Sequence, residues 1–534
     1  MNPFAQERLL FTPQSPDDRA IPMIFAFPNT YTVGITSLGY QVVWATFAMR
    51  RDVDVRRLFL DAQEPLPQQP ELVGFSLSWE LDYGNILTIL EQLDIPLHSG
   101  DRLPSDPLIF GGGPVLTANP EPFADFFDVV LLGDGEAILD PFIAAYQEVR
   151  GANRREQLRH LAQVPGLYVP SLYRVKYAEI TGAIATIEPL DADIPAVITK
   201  QTHRSNTLLA STVVTAQAAW ENIYMVEVVR SCPEMCRFCL ASYLTLPFRT
   251  ADLTGSLIPA IERGLKVTRR LGLLGASVTQ HPEFFDLITY LNRSDYDDVR
   301  VSIASMRTNT VTVELAQLLA ARDTRSITIA VESGSERLRG IINKKLSNAE
   351  IQTCAADAAA GGLKAIKLYG MVGLPGEQPE DLAATLAMAQ ALKKTAPQLR
   401  FTLGCSTFVP KAHTPFQWYG VNREAEKRLQ GLQKGLRSQG WDFRPESYNW
   451  SVIQALISRG DRRITPLLEL TRNYGDSLGS YKRAFKTLKG QLPPLDYYVH
   501  DHWDRDQILP WQHLQGPLPV GTLKQHLATA EALF

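Results

Sequence analysis

The sequence predicts an α/β protein in three parts: a parallel sheet covered by helices, a longer strand–helix array, and a mainly helical C-terminal region. Three observations predict it. Apolar strand-like runs alternate with amphipathic helical runs up to about residue 150. The alternation resumes at residue 222 with six strand–helix repeats. Beyond residue 420 it gives way to charged amphipathic helices and Pro-rich turns. Repeated strand–helix units imply parallel pairing, because right-handed crossovers return each strand beside an earlier one.

In chain order, IPMIFAF (21–27) reads as a strand and SLGYQVVWATFAMR (37–50) as a helix. ELVGFSLS (71–78), PLIFGGG (107–113) and DVVLLGDGE (128–136) are further strands, with NILTILEQL (85–93) and AILDPFIAAYQEV as helices. These make one domain over 1–150. Residues 151–219 lack a clean period and read as a joining region of linker and short strands. Over 220–420 the strands are YMVEVV, LGLLGAS, VRVSIAS, RSITIAV, KAIKLYGMVG and FTLGCSTFV, with a helical run between each pair. Six such repeats make a three-quarter barrel, (β/α)6, with the strand C-terminal ends on one face. Residues 421–534 hold EAEKRLQGLQKGLRSQ, VIQALIS, TPLLELTRNY, SYKRAFKTL and TLKQHLATAEALF as helices.

The bulk numbers narrow the function classes. At 534 residues the chain exceeds one ordinary core, and 45% hydrophobic with 21% charged residues suits a globular protein. Lys and Arg total 53 against 57 Asp and Glu, so no global field favours nucleic acid. No apolar run reaches transmembrane length, and the first residues are charged and polar, unlike a secretory signal. Three of the five cysteines fall within eight residues, which suits a reducing compartment and a metal or cluster site. A cytoplasmic location is expected.

SCPEMCRFCL carries Cys232, Cys236 and Cys239 directly after the first strand of the second array. A short loop with Cys-x3-Cys-x2-Cys spacing can place three thiolates on three irons of one cube, leaving the fourth iron open. Pro233 biases Cys232 towards an extended conformation, and Phe238 can shield a cluster from water. The alternative is zinc or chance clustering. Structural zinc wants four ligands, commonly in two pairs, and no second pair exists.

This spacing at the head of a six-repeat barrel resembles the radical S-adenosylmethionine (SAM) superfamily. The resemblance implies a partial (β/α)6 TIM-like barrel and a [4Fe–4S] cluster whose open iron chelates SAM. It also implies reductive cleavage of the sulfonium bond and hydrogen abstraction from a substrate. An electron donor such as ferredoxin or flavodoxin is the implied partner. Gly275 and Ala276 occupy the family's Gly-Gly-Glu position; the acidic residue is missing, so only a backbone role carries over. Ser305 and Arg307 follow the third strand, where the SAM carboxylate or ribose is expected. Glu332 ends the fourth strand and resembles the family's polar residue facing SAM. Gly370 and Gly373 resemble the Gly-x-x-Gly-x-Pro segment beside the adenine. For each of these the alternative is a structural turn, a surface side chain or a packed rim. Lys411 and His413 end the sixth strand as substrate-facing candidates. Cys405 and Cys354 read chiefly as core filler, and His500 with His502 as a weak metal pair.

PLIFGGGPVLTANPEPFADFFDVVLLGDGE resembles the cobalamin-binding radical SAM proteins, an uncharacterised subfamily of which shares RGDRR (459–463) and LPW (509–511). That resemblance implies a flavodoxin-like (Rossmann-type) N-terminal domain and, if the domain retains its ligand, cobalamin as a third cofactor. Gly111, Gly112 and Gly113 would then let the backbone approach the macrocycle. The loop after the first strand lacks Asp-x-His-x-x-Gly, so it offers no lower cobalt ligand. The implied function is radical chemistry on an unidentified substrate, with cobalamin-dependent methylation as one form of it. Three readings compete: a cobalamin-independent radical enzyme with a relic domain, a methylthiotransferase-like tRNA modifier, and a non-enzymatic Fe–S scaffold. The tRNA modifiers carry three more cluster cysteines N-terminally, and none precedes Cys232 here.

Overall fold

The computed structural model describes residues 2–179, 182–304 and 306–534. The fold is mixed α/β, with parallel sheets flanked by helices. Five parallel strands build the first sheet: β1 (Ile21–Ala26), β2 (Val53–Leu58), β3 (Leu72–Ser76), β4 (Leu108–Gly112) and β5 (Val129–Leu131). A short sixth strand, β6 (Leu167–Tyr168), pairs antiparallel with β5. The spatial order is β2-β1-β3-β4-β5-β6. Near-continuous apolar runs such as IPMIFA are buried on both faces because helices cover both. Among these helices are α1 (Leu38–Ala48), α2 (Tyr83–Gln92) and α3 (Gly135–Glu148).

β2 is a strand the sequence reading lacks, for a specific reason. Its VDVRRL carries Arg57, whose polar character masks a core position. Arg57 is buried because it donates to Glu7 (2.8 Å to each oxygen) and to Glu64 (2.8 Å), and its guanidinium lies 3.8 Å from the Trp44 ring. Two carboxylates, one of them fifty residues away, and an aromatic face supply what desolvation removes. The joining region likewise contains a helix over Arg154–Leu161 and the edge strand β6, besides the short strands expected there.

The second array forms two parallel sheets. One contains β7 (Tyr224–Glu227), β8 (Arg270–Leu274) and β9 (Arg300–Ile303) in that order. The other contains β10 (Ser326–Glu332), β11 (Ala365–Val372), β12 (Arg400–Thr407) and β13 (Asp442–Pro445). A parallel bridge between Met306 and Ile329 links them. The helices of this array include α4 (Ile258–Leu265), α5 (Phe284–Leu291), α6 (Val313–Ala321), α7 (Asn348–Ala360), α8 (Pro379–Thr395) and α9 (Ala425–Ser438). β13 is a seventh strand, so the array runs past the expected limit at residue 420.

The C-terminal region holds α10 (Tyr448–Arg459), α11 (Thr465–Asn473), α12 (Leu478–Thr487) and α13 (Thr522–Glu531). Its apolar side chains join the core of the first sheet, while the second array has its own core. Polar contacts fix this union. Asn119 Nδ2 donates to the carbonyls of Ser458 (3.1 Å) and Gly460 (2.8 Å), and the Tyr83 and Tyr481 hydroxyls meet at 2.9 Å. Arg459 is fully buried, donates to the carbonyls of Tyr498 and Asp501, and stacks 3.8 Å from Trp503. No described helix is long and apolar enough to cross a membrane.

Candidate cluster loop and adjoining cavity

The cysteine loop leaves β7 through a tight path in which Ser231 (φ 71°) and Met235 (φ 55°) adopt left-handed backbone. Side chains from other loops stitch it down. Asn343 Nδ2 donates to the carbonyls of Glu234 and Met235, both at 2.9 Å. The Arg237 guanidinium donates to the carbonyls of Gly340 (3.1 Å) and Ile341 (2.5 Å). The Tyr243 hydroxyl donates to the Met235 carbonyl (3.2 Å) and lies 2.9 Å from His526 Nδ1 of α13. These contacts hold the loop from three parts of the chain's sequence: 340–343, 243 and 526.

Cys236 is buried, with its Sγ 3.8 Å from the Asn343 carbonyl oxygen. Burial pushes its thiol up to about 12, and Lys344 opposes the shift while Cys239, Glu332 and Cys232 add to it. Burial raises the Cys239 thiol in the same way. Bound iron would take these side chains as thiolates, the form that ligates metal. Among the described residues, no three His, Cys, Asp or Glu side chains are arranged round a single ion. Three thiolates on one short loop can each bind a separate iron of one cube, whereas structural zinc wants four ligands, so the donor set fits a cluster.

The other predicted residues are distributed as follows. Gly275 has φ 151°, and a Cβ there would lie 2.6 Å from the Val229 carbonyl oxygen, so this turn after β8 requires glycine. Ala276 and Ser277 follow in the same turn. Ser305 lies outside the described residues. Arg307 pairs with Glu234 of the cysteine loop at 2.6 Å and donates to the Lys345 carbonyl at 3.0 Å. Glu332 follows a bulge in β10, has φ 64°, and accepts from Lys344 at 3.3 Å. A bulge with left-handed backbone at a non-glycine residue re-aims the side chain at a cost that functional sites tolerate. Lys344 is pulled down by burial, yet Glu332 and Cys236 hold its ammonium above the usual range.

Gly370 does not face the open side of its strand. Its missing side chain would meet Leu403 and Cys405 on the helix-covered side, so any cofactor contact there is through backbone alone. Gly373 turns at φ 78°, and its N–H donates to the buried Glu377 carboxylate at 2.5 Å. Four residues missed in the sequence, Glu234, Gln280, Asn343 and Lys344, lie in or against the cysteine loop. Gln280 accepts from Ser277 Oγ, donates to Glu234, both at 2.5 Å, and lies 4.0 Å from Cys232 Sγ. Only Glu234 carried a signal, its place between two clustered cysteines.

Several expected site residues serve the fold instead. Lys411 binds the buried Glu80 and donates to Ser458 at 3.1 Å, and His413 Nε2 donates to the Ala118 carbonyl at 3.1 Å. His500 donates from Nδ1 to the Val421 carbonyl at 2.8 Å, while His502 stands against the Tyr419 ring, so they form no metal pair. Cys354 and Cys405 are buried core residues.

A second feature adjoins the loop. A cavity of about 280 Å³ opens at the C-terminal ends of β1, β3, β4 and β5. Phe75, Phe110, Leu131 and Leu139 line it, with Ser76, Ser78, Asp134 and Glu136 among its polar side chains. Of the three predicted glycines, Gly112 and Gly113 line this space, and a Cβ added at Gly112 would meet nothing nearer than 3.6 Å. Gly39 on α1 likewise leaves open space. Gly111 instead abuts Phe127 and Leu116 in the core, and the close Leu77 backbone together with φ 107° requires glycine at 113 whether or not a ligand binds. Glu227 and Arg230, from the segment leading into the cysteine loop, close the far wall. Arg230 donates to Glu227 (2.8 Å) and to Glu136 of α3 (2.7 Å), joining the two sheets.

Two family models match the chain. "Radical SAM proteins, N-terminal" covers residues 40–170, and "Radical SAM superfamily" covers residues 226–389, which includes the cysteine loop. The chain is a radical SAM protein. This radical SAM protein is 27% identical to an uncharacterised protein of Methanocaldococcus jannaschii over 86% of its own length and 93% of the relative's. Among solved structures, the radical SAM methyltransferase TsrM from Kitasatospora setae, with cobalamin and a [4Fe–4S] cluster bound, matches with a TM-score of 0.52 at 12% identity. That match covers 88% of this radical SAM protein and all of TsrM, and it shows a shared fold. The cobalamin-dependent radical enzyme OxsB, with aqua-cobalamin bound, matches over 88% of this chain and 72% of its own at a TM-score of 0.48 and 11% identity.

Proposed function

We propose that this radical SAM enzyme binds a [4Fe–4S] cluster on Cys232, Cys236 and Cys239, and SAM beside it. We further propose that it binds cobalamin in the cavity of the N-terminal sheet and methylates an unactivated carbon of a substrate not yet identified. The observation that carries this reading is the shared wall. Glu227 and Arg230 line the sheet cavity and stand five and two residues before Cys232. The strand order β2-β1-β3-β4-β5 supports a flavodoxin-like reading of the first domain, and such sheets bind ligands at their strand C-terminal ends. The seven parallel strands of the second array support the partial-barrel reading.

When bound, the cluster would supply the electron that cleaves SAM, and cobalamin would carry the methyl group. The chain's own residues have separable tasks. The three cysteines bind iron, and Asn343, Arg237 and Tyr243 hold the loop in place. Arg307 offers a cation to a carboxylate, with Glu234 as its present partner. Glu332 and Lys344 offer a carboxylate–ammonium pair within reach of Cys236. Gly275, Ala276, Gly370 and Gly373 contribute backbone, with Ser305 as a further SAM contact. Gly112 and Gly39 leave space for a flat ligand, and the cavity lining would meet it with apolar side chains.

Anaerobic reconstitution with iron and sulfide, then equilibrium dialysis with hydroxocobalamin, tests this. The wild type should hold about four irons, absorb near ~400 nm, release 5′-deoxyadenosine from SAM with a strong reductant, and retain cobalamin. Alanine at all three cysteines should abolish colour and cleavage. A full cluster with no cobalamin retention at tens of micromolar would leave a cobalamin-independent radical enzyme. A full cluster with no SAM cleavage would reject the enzymatic reading of the loop.

A further inference from the structure

Away from both sites, a cavity of about 900 Å³ opens between α10, α12 and the loop after β12. Tyr448, Val452, Phe485 and Leu492 are among the side chains that make its wall apolar. Tyr448 opens α10 just beyond β13, and Arg423 lies in the loop after β12, so the cavity stands at the strand C-terminal end, where ligands gather in such folds.

Its charge is of one sign. Lys482, Lys486, Lys489 and Arg423 line it, and no Asp or Glu does. Lys482 and Lys486 are one helical turn apart on α12, and Lys489 stands two residues beyond its end. None of the three lysines takes part in an ion pair among the described residues. Arg423 pairs with Asp496 at 2.8 Å, but both are more than half exposed, so that pair is weak and exchangeable. An apolar cavity under unpaired cations calls for a ligand with a hydrophobic body and an anionic end.

We propose that this cavity binds a single-chain amphipathic anion, a long hydrocarbon tail ending in a carboxylate. The tail lies along Val452, Phe485 and Leu492, and the carboxylate meets the lysine rim. The volume suits a small ligand. A three-turn peptide helix, ~10–12 Å across and ~16 Å long, would exceed it. The site is independent of the cofactors proposed above, and its test needs neither cluster nor cobalamin.

The probe is cis-parinaric acid, a fluorescent long-chain carboxylate, titrated into the full-length protein at concentrations below micelle formation. Saturable binding is expected, displaced by palmitate but not by hexadecanol or hexadecyltrimethylammonium. Added salt should weaken it, since exposed cations are screened. K482E/K486E/K489E should bind at least tenfold more weakly, while the corresponding triple arginine variant binds like wild type. The lysines are exposed, so circular dichroism should show both variants folded. Val452→Trp should block the tail, and if that variant fails to fold the charge variants decide alone. Absence of saturable binding, displacement by all three chains alike, or a triple glutamate variant that binds normally would overturn the proposal. Binding to anionic vesicles without binding of the monomeric carboxylate would also overturn it, in favour of a membrane surface.

Discussion

Arg307 and Glu234 illustrate how one residue's partner sets the effect of changing it. Their ion pair is mostly shielded, and Glu234 also accepts from Gln280, so its carboxyl stays below the usual range despite burial. If Arg307 serves the SAM carboxylate, Glu234 competes for it. Arg307→Ala should weaken SAM binding at least tenfold, as loss of a charge-assisted hydrogen bond costs ~1.5–3 kcal/mol. Glu234→Gln should leave Arg307 free and tighten binding severalfold. Iron content should be unchanged in both, because neither side chain is a cluster ligand. Isothermal titration with SAM on the reconstituted protein separates the cases; equal loss in both variants would mean the pair serves only the loop's shape. Glu332→Ala belongs to the same series and should strand the buried Lys344 ammonium.

At the scale of elements, the C-terminal helices are clamped to the first sheet by groups that respond to acid. Burial lowers His413 and His513 to about 4 each, although the Glu121 carboxylate 3.8 Å from His513 works against the shift there. Both are therefore neutral in the folded protein at pH 5, while the unfolded chain would protonate them near 6.5. Their contribution is fully present above pH 6.5 and is lost as the pH falls towards 4, by at most about 3 kcal/mol each. Glu80 and Glu121, held below the usual carboxylate range against burial by Lys411 and Arg462, extend the loss below pH 4.5. Thermal melts between pH 7.5 and 4.5 should show this slope, and a His413→Asn/His513→Asn double variant should flatten its upper part. These clamps also explain what the sequence concealed. The cysteine loop, β1, β3, β4 and the strands from β7 to β12 were legible because their apolar runs and turns are local signals. β2 was not, since Arg57 is made a core residue by Glu7 and Glu64, and β13 is a short strand of alternating polarity. Lys411 and His413 looked functional only because their partners, Glu80 and Ala118, lie hundreds of residues away.

For the molecule as a whole, the question is whether the first sheet still serves the second array. Arg230 answers part of it: one guanidinium on the segment feeding the cysteine loop is held by Glu227 beside it and by Glu136 of the opposite domain. The cavity it closes is the place where the two halves of the chain share a wall. The cavity can be filled without touching that guanidinium. Gly112 and Gly39 both leave space a side chain would occupy, and neither needs a left-handed backbone that would be strained by the change. Gly39→Leu on the helix surface should therefore fold, and Gly112→Val should suit a strand end. Each should lower cobalamin retention in equilibrium dialysis at least tenfold, while iron content and reductive SAM cleavage stay at wild-type levels. Loss of all three properties together would instead mean that filling the cavity displaces the cysteine loop through Arg230. Unchanged retention in both variants, measured on cluster-loaded protein, would move any cobalamin site away from the strand ends and remove the shared wall as the basis of the methylation mechanism.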